Sequence, residues 1–381
     1  MAQGLSSVHI LGAGTTGSLA ALSLAEDNRH VVLHDPQTAE GLKDRSRAYA
    51  ITHSSRRLLQ KLDLWRHLGD SLTSFDLLDL RDQSVEKPVL YHLNDLPAAH
   101  RSSGGIGWIL DHAPLMNLML MRLKEHANVE LFLGNPSPSP GPDDLVVAAD
   151  GPRSSTRESW GIGRWQHNYR QGCLTAKVAI RGVNRKVAYE LFRTEGPLAV
   201  LPLGQGNFQV VWSASLHKCR QRCELPGSIF LDQLAAVLPS GLEPDRLLDS
   251  PRAFPQQLML AHRLSAGRGV LIGEAGHRYH PVAGQGLNLC WRDVETLLQS
   301  VRAGGSPASI ARRYGQRRWM DLLLVGLFTD LLVRVFSNRN RFLLPLRRLV
   351  IGLLALSSTL RRLSLRAMSD GPMQMLQVLS D

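Results

Sequence analysis

The sequence predicts an α/β protein: a doubly wound parallel sheet first, then an antiparallel sheet, then a helical C-terminal segment. Three observations carry this. The chain opens with a strand, a glycine turn, a helix and a second strand, the start of a parallel sheet. From Leu174 to Ser215 it changes to strand-length runs parted by Gly, Pro or Asn, which reads as antiparallel. From Ala311 to about Ser364, arginine and leucine recur in a helical pattern.

Val8-His9-Ile10-Leu11 is a short apolar run ending at a glycine, as a buried parallel strand does. Gly12-Ala13-Gly14-Thr15-Thr16-Gly17 follows, then an Ala- and Leu-rich helix over Ser18–Glu26. Val31–His34 is a second strand and stops at Asp35. The second half of Arg47–Leu68 is helical, with Leu58, Leu59, Leu62, Leu64, Trp65 and Leu68 near one face. Leu115–Leu131 is a helix and a strand. The Pro/Ser-rich stretch Asn135–Asp144 is neither helix nor central strand. Leu145–Ala149 is a further buried strand and ends at Asp150-Gly151. Thr175–Ile180, Ala188–Phe192, Ala199–Leu203 and Phe208–Trp212 are strands of the second domain. Gly267–Ile272 returns to a buried strand ending in Gly273-Glu274, and Leu287–Val301 is helical. Residues 1–70, 100–170 and 265–305 then form a discontinuous first domain. Residues 71–99 and 171–264 form the second, and 306–381 a basic helical segment.

The 381 residues are 44% hydrophobic and 20% charged, which excludes a disordered or collagen-like chain. Cys173, Cys219, Cys223 and Cys290 have no disulfide-framework spacing. With no signal peptide ahead of them, a reducing, cytoplasmic setting is expected. The net charge is +11. Between Ala311 and Arg366 stand twelve arginines, no lysine and two aspartates (Asp321, Asp330). The excess is thus placed in the C-terminal segment. Its longest apolar run, Leu349–Leu356, is far shorter than the ~20 residues that span a bilayer.

Three motifs carry chemistry. In Gly12-x-Gly14-x-x-Gly17, Gly12 permits a tight turn, Gly14 lets the backbone approach a pyrophosphate, and Gly17 lets helix pack on strand. Asp35, at the end of the second strand, is placed to accept from ribose hydroxyls. FAD and NAD share this fingerprint, so it does not choose between them. The second motif is Asp150-Gly151-Pro152-Arg153-Ser154-Ser155-x-Arg157. The third runs from Gly273-Glu274-Ala275-Gly276-His277 through His280-Pro281 to Gly284-Gln285-Gly286-Leu287-Asn288 and into a helix. There a strand-end acid can accept from the sugar-alcohol chain of a flavin. The glycine turn can set backbone N–H groups beside the pyrimidine end of the isoalloxazine, where negative charge builds on reduction.

At these residues the chain resembles the FAD-dependent aromatic-ring hydroxylases of the ubiquinone-biosynthesis type. The resemblance covers nearly the whole chain. It includes Arg47-x-Tyr49-Ala50-Ile51-Thr52 with Ser55, Leu62–Leu68, Glu190-Leu-Phe through Gly196-Pro197 to Leu203, and Tyr314-x-x-x-Arg318. It implies a glutathione-reductase-type FAD-binding domain with a β-sheet substrate domain above the flavin. It implies transient reduction by NAD(P)H, then O2 chemistry through a flavin C4a-hydroperoxide that hydroxylates a phenol. By position, Gly12, Gly14 and Gly17 would hold the ADP half and Asp35 the ribose. Arg47 would lie along the pyrophosphate and ribityl side, Asp150 and Gly151 beside the dinucleotide, and Glu274 at the ribityl chain. Pro281, Gly284, Gln285, Gly286, Leu287 and Asn288 would sit at the isoalloxazine. No side chain is singled out as catalytic; His277, His280 and Pro281 are the candidates near the flavin.

Glu274, Gly276 and Cys290 depart from the family's usual Asp, Ala and Gly, and Ala113 stands where an Arg is common. Two alternatives therefore accompany the expected prenylated-phenol hydroxylase: the same chemistry on another phenol, and a non-catalytic FAD-binding protein that scaffolds a membrane complex. His277 and His280 lack further ligands for a metal. His217, Cys219 and Cys223 stand among Lys218, Arg220 and Arg222, which disfavour a cation. Trp65, Trp108 and Trp212 read as core. In the C-terminal segment, Leu343, Leu344, Leu349, Val350, Leu353, Leu354 and Leu360 interleave with Arg347, Arg348, Arg361 and Arg362. That pattern suits either a solvated helical face or a peripheral contact with the inner membrane face. Nucleic acid is disfavoured, because stacking aromatics are scarce there. A homo-oligomer or a biosynthetic complex stays open.

Overall fold

The computed structural model describes residues 5–370, apart from 84, 86, 183–185, 280–283 and 337–340. A six-stranded sheet forms the base, in the order Ser265–Ala266, Gly269–Leu271, Leu145–Ala148, Val8–Leu11, Val31–Asp35, Val129–Leu133. Every neighbour is parallel except the Ser265–Ala266 edge. Parallel strands are covered on both faces, which is why these segments read as continuous apolar runs. Helix Thr15–Ala25 is buried from Gly17 to Ala25. It packs against helices His112–Glu125 and Gln285–Arg302 as well as the sheet. A helix covered all round needs small residues, not one apolar stripe.

The second sheet has nine strands. Its main path runs His277–Arg278, Arg252–Ala261, Arg164–Arg181, Asn207–Ser215, Leu198–Gly204, Val187–Phe192, Leu77–Asp82, Val89–His92, and Glu243–Leu247 also pairs with Arg164–Arg181. Strand alternation sends Leu174, Ala176, Val178 and Ile180 to one face. There they join Trp212, Phe230 and Leu234 in a core with helices Leu216–Cys223 and Gly227–Ala235. On the other face Ala188, Phe192, Leu201 and Leu203 share a cluster with Ala48, Ala50 and Ile109 of the first domain.

The expected antiparallel sheet has one exception: Val187–Phe192 runs parallel to Leu77–Asp82. About a hundred residues separate the two strands in sequence, and a connection that long permits either direction. The domain limits also differ from the expected ones. Leu72–Phe75 pairs with Gly107–Asp111, which in turn pairs with Ala48–Ile51, in a separate three-stranded sheet. Arg164–Asn168 already belongs to the second sheet.

The C-terminal segment is not a free tail. In helix Pro307–Phe336, Ile310, Ala311, Tyr314, Leu322 and Val325 lie in the first domain's core. The Tyr314 hydroxyl donates to the Leu271 carbonyl at 2.9 Å. Helices Leu344–Leu356 and Ser358–Asp370 fold back onto the body. Ile351 and Leu365 join the cluster beneath the second sheet. Ser54 Oγ donates to the Ser369 carbonyl at 2.6 Å, and Arg361 Nε to Asp95 at 3.2 Å. Arg318 and Arg347 are buried, so part of the positive excess is internal. Among the described residues no helix is long and apolar enough to cross a membrane.

Phe230 is fully buried, its ring 6.2 Å from that of Trp212. Phe230→Ala should cost about 3–5 kcal/mol, read as a lower urea midpoint at unchanged slope.

Candidate functional site

The site lies at the C-terminal edge of the parallel sheet, where helices Thr15–Ala25 and Gln285–Arg302 both begin. Ligands of doubly wound sheets bind at this edge. The glycines of the first turn do three different things. Gly12 has φ +107°, and a Cβ there would stand 2.4 Å from the Ala149 carbonyl oxygen. A Cβ on Gly17 would be 1.8 Å from the Gly12 carbonyl oxygen. Both are glycine because protein fills the space. Gly14 is the reverse case: a Cβ there would meet nothing within 4 Å. It is the N-cap of Thr15–Ala25, and no side chain caps that helix. Room and unspent helix-end donors together suit a pyrophosphate.

Asp35 fixes this turn. Its two oxygens accept from Ala13 N and Gln37 N, both at 2.8 Å, and each can accept again. Asp150 Oδ2 accepts from Thr156 N at 3.1 Å, whereas its Oδ1 is buried with no partner among the described residues. Beside it Gly151 has φ +84° and open space where a Cβ would be. A buried acceptor without a donor is costly in a bare protein, and it is what a cofactor hydroxyl or N–H satisfies. Arg157 is fully buried, and its Nη1 donates to the Ala275 carbonyl at 2.9 Å. It ties the Asp150 loop to the Gly273–Ala275 turn.

That turn is held from behind. Gly273 N donates to Asp293 Oδ2 at 2.7 Å, and His277 Nε2 lies 2.7 Å from the same oxygen. Arg318 Nε donates to Asp293 Oδ1 at 2.8 Å, and Arg318 also pairs with Asp321. Burial would raise the Asp293 carboxyl, but the His277 and Arg318 charges and these hydrogen bonds hold it below its ordinary value. His277 is therefore a support behind the turn, not a group presented to the cleft. His280 and Pro281 lie outside the described residues.

Glu274 keeps its carboxylate half exposed; its ion-pair contact is a loose one with Arg278 at 4.0 Å. Arg47 retains solvent access although burial is the strongest influence on its charge, as for a side chain lining a cleft. Burial disfavours its charged form, yet Tyr49 and Glu274 outweigh this and raise its pKa. Cys290 feels Glu274 and Arg47, and Thr16 hydrogen-bonds to it; burial pushes its thiol well up. Thr16 stands beside the turn, 3.1 Å from where a Cβ on Gly273 would be, and Arg47, Glu274 and Cys290, far apart in sequence, are close enough to act on one another's charge.

The third motif divides in a way its sequence does not reveal. Gly284, at φ +63°, caps helix Gln285–Arg302. A Cβ on Gly284 would stand 2.9 Å from the Ala50 Cβ, whereas one on Gly286 would meet nothing within 4 Å among the described residues. Leu287 is buried in the core. Asn288 is consumed internally. Its Oδ1 accepts from Thr52 N at 3.1 Å and Ser55 Oγ at 2.7 Å, and its Nδ2 donates to the carbonyls of Ala50 (2.7 Å) and Gly284 (3.1 Å). The side chains of Leu287 and Asn288, expected at the isoalloxazine, thus pack in the core and clamp the turn. The importance of Asn288 as a clamp and of Arg157 as a tie escaped the sequence reading, although both stand inside quoted motifs.

Comparison with known proteins agrees with this geometry. Residues 143–318 match the FAD binding domain family. The chain is 32% identical to the ubiquinone hydroxylase UbiL of Rhodospirillum rubrum, over 94% of this chain and 88% of that protein. It belongs to the FAD-dependent ubiquinone-biosynthesis hydroxylases. The Escherichia coli 3-demethoxyubiquinol 3-hydroxylase is 28% identical over 89% of this chain and 91% of its own. The fold matches that of p-nitrophenol 4-monooxygenase PnpA from Pseudomonas putida, with TM-score 0.77, 18% identity, and coverage of 95% of this chain and 96% of that one.

The hydroxylase is an FAD-dependent monooxygenase. When bound, FAD supplies the redox chemistry that links NAD(P)H and O2 to ring hydroxylation. The residues present fit it: an uncapped helix end facing open room at Gly14, an orphaned Asp150 oxygen, and a half-exposed Glu274 carboxylate. The two glycines should fail differently. Gly14→Ala should fold with near-normal melting of the apoprotein yet lose flavin on purification. Gly12→Ala should be insoluble or strongly destabilised, because its Cβ has no room. Flavin absorbance per protein and thermal melts check both.

Proposed function

We propose that the enzyme hydroxylates a prenylated phenol of quinone biosynthesis, taken from the cytoplasmic face of the inner membrane. The ADP half of FAD would rest on Gly12, Gly14 and Gly17, with its ribose at Asp35. Arg47 would face the pyrophosphate and ribityl side, with Asp150 and Gly151 beside the dinucleotide. Glu274 would accept from the ribityl hydroxyls. The backbone of the Gly284–Gly286 turn, with Pro281 ahead of it, would lie at the isoalloxazine. The names of the relatives support the quinone pathway.

A single observation supports the membrane half. Phe342, Leu346, Leu349, Leu353, Leu356 and Leu360 are all exposed, Phe342 at 91% and Leu356 at 89%. They alternate at spacings of four and three residues, so those on helix Leu344–Leu356 form one stripe left exposed by the described residues. Exposed Arg348, Arg362 and Arg366 flank it. Apolar groups beside exposed arginines suit the headgroup region of anionic lipid, where each cation contributes about 1 kcal/mol.

Truncation is a poor test, because the other faces of these helices pack on the body. Point substitution avoids that. Leu349→Ser with Leu353→Ser should leave flavin content and melting unchanged while co-sedimentation with phosphatidylglycerol vesicles falls at least about tenfold, given the loss of two leucines that would enter the lipid. Wild type should bind neutral phosphatidylcholine weakly and leave anionic vesicles in part at high salt. It should also yield a hydroxylated product from a short-chain prenylated phenol with NAD(P)H. Wild type left in the supernatant with anionic vesicles at low salt overturns the docking. Absence of product overturns the substrate class.

A further inference from the structure

We propose that Glu190 is the group that meets the substrate's phenolic hydroxyl, accepting its proton as the ring is oxygenated; this rests on the phenol reading above. Strand Val187–Phe192 alternates. Tyr189 and Leu191 point into the helix-covered core, with Leu198, Val200 and Phe230. Ala188 and Phe192 point to the opposite face, toward the first domain. Glu190 lies between Tyr189 and Leu191 and so shares the face of Ala188 and Phe192.

What that face looks onto can be followed residue by residue. Its cluster includes Ala48 and Ala50 of the strand that continues from Arg47. The Ala50 carbonyl is clamped by Asn288, and its Cβ would stand 2.9 Å from a Cβ on Gly284. The same cluster holds Phe336, Ile351 and Leu365, so the sheet face bearing Glu190 is covered partly by the C-terminal helices and partly by the strand that braces the flavin-side turn. Along this face the lateral neighbours of Glu190 are Ala199 and Leu80. Neither can donate a hydrogen bond from its side chain.

Glu190 is half-buried, and its carboxyl meets no donor or cation among the described residues. Several buried carboxylates are answered by cations: Asp293 by His277 and Arg318, Asp95 by Arg361, Asp79 by Arg81. Glu190 has no such protein partner among the described residues, and its half-buried carboxyl is left available to a ligand's hydroxyl. Burial pushes it up to about 7, where a carboxylate is a useful base at neutral pH. The apolar wall suits the ring and its chain, and the one carboxyl fixes where the hydroxyl points.

The chemistry balances. Glu190 takes the phenolic proton, which raises electron density on the ring carbons ortho and para to that oxygen. The O–O bond of dioxygen breaks: one oxygen becomes the new hydroxyl and the other leaves as water, with NAD(P)H supplying the two electrons through FAD and solvent the proton. When the new C–O bond has formed, the ring C–H proton leaves to solvent and aromaticity returns. Glu190 gives its proton back to the original oxygen and ends as it began.

The test uses FAD-loaded full-length enzyme with 2-prenylphenol and its methyl ether, which has no proton to give. Binding is read from perturbation of the flavin spectrum and hydroxylation from product per NAD(P)H consumed. Wild type should prefer the phenol over the ether. Glu190→Gln keeps the shape, and should keep FAD content and melting. It should shrink the preference roughly five- to tenfold, as a charged acceptor becomes neutral, and lower hydroxylation about 10²-fold or more. Glu190→Asp should recover part of both. If Glu190→Gln matches wild type in preference and product, the role of Glu190 is overturned while the substrate class stands. If wild type neither binds nor hydroxylates the phenol, the substrate class falls, and this proposal falls with it.

Discussion

The site depends on one buried carboxylate. Asp293 is fully enclosed and makes three connections at once: to the backbone of Gly273, to His277 and to Arg318. Each partner comes from a different part of the fold. Gly273 opens the turn that carries Glu274. His277 begins the edge strand of the second sheet, paired with Leu260. Arg318 belongs to the long C-terminal helix. A lone buried carboxylate would be untenable, and removing one member of such a set typically costs ~3–5 kcal/mol. The two domains and the C-terminal helix therefore share a common anchor directly behind the cleft. Arg157 acts similarly from the other side, where a buried guanidinium reaches the Ala275 carbonyl. The turn bearing Glu274 is thus held by two arginines that never reach the cleft.

This arrangement explains what the sequence could convey. The glycine fingerprint was legible because its demands are local: a positive φ at Gly12, a contact at Gly17, open room at Gly14. Strand ends at Asp35, Asp150 and Glu274 were legible for the same reason, since a short apolar run stops where the sheet stops. The clamp made by Asn288 was not, because its partners Thr52 and Ser55 lie more than two hundred residues away. His277 illustrates the same limit. A histidine next to a glycine-rich turn suggests the cofactor until Asp293 is seen beside it.

The C-terminal segment shows how counting charge misleads. Twelve arginines within 56 residues suggested a separate cationic appendage. Arg318 and Arg347 are interior, and Arg361 pairs with Asp95. Leucine spacing announced helices but not which face would be covered. Ile351 and Leu365 point inward while Leu349 and Leu353 remain outside, a division set by the second sheet and visible only in three dimensions. The pairing direction of Val187–Phe192 was hidden likewise, since alternation is the same in parallel and antiparallel neighbours.

The Asp150 oxygen that no described protein group answers, and the open approach to Gly14, have a bearing on how much of this protein a cell holds. A polypeptide that carries an unanswered buried acceptor is less stable than the same chain with that acceptor satisfied. Whatever binds only the folded form adds stability in proportion to the logarithm of its concentration over its dissociation constant. Protein made when flavin is scarce would then spend more time unfolded and open to proteolysis. Its abundance would follow the vitamin supply even at constant synthesis, so that nutrition, acting through turnover, would set the capacity of this step.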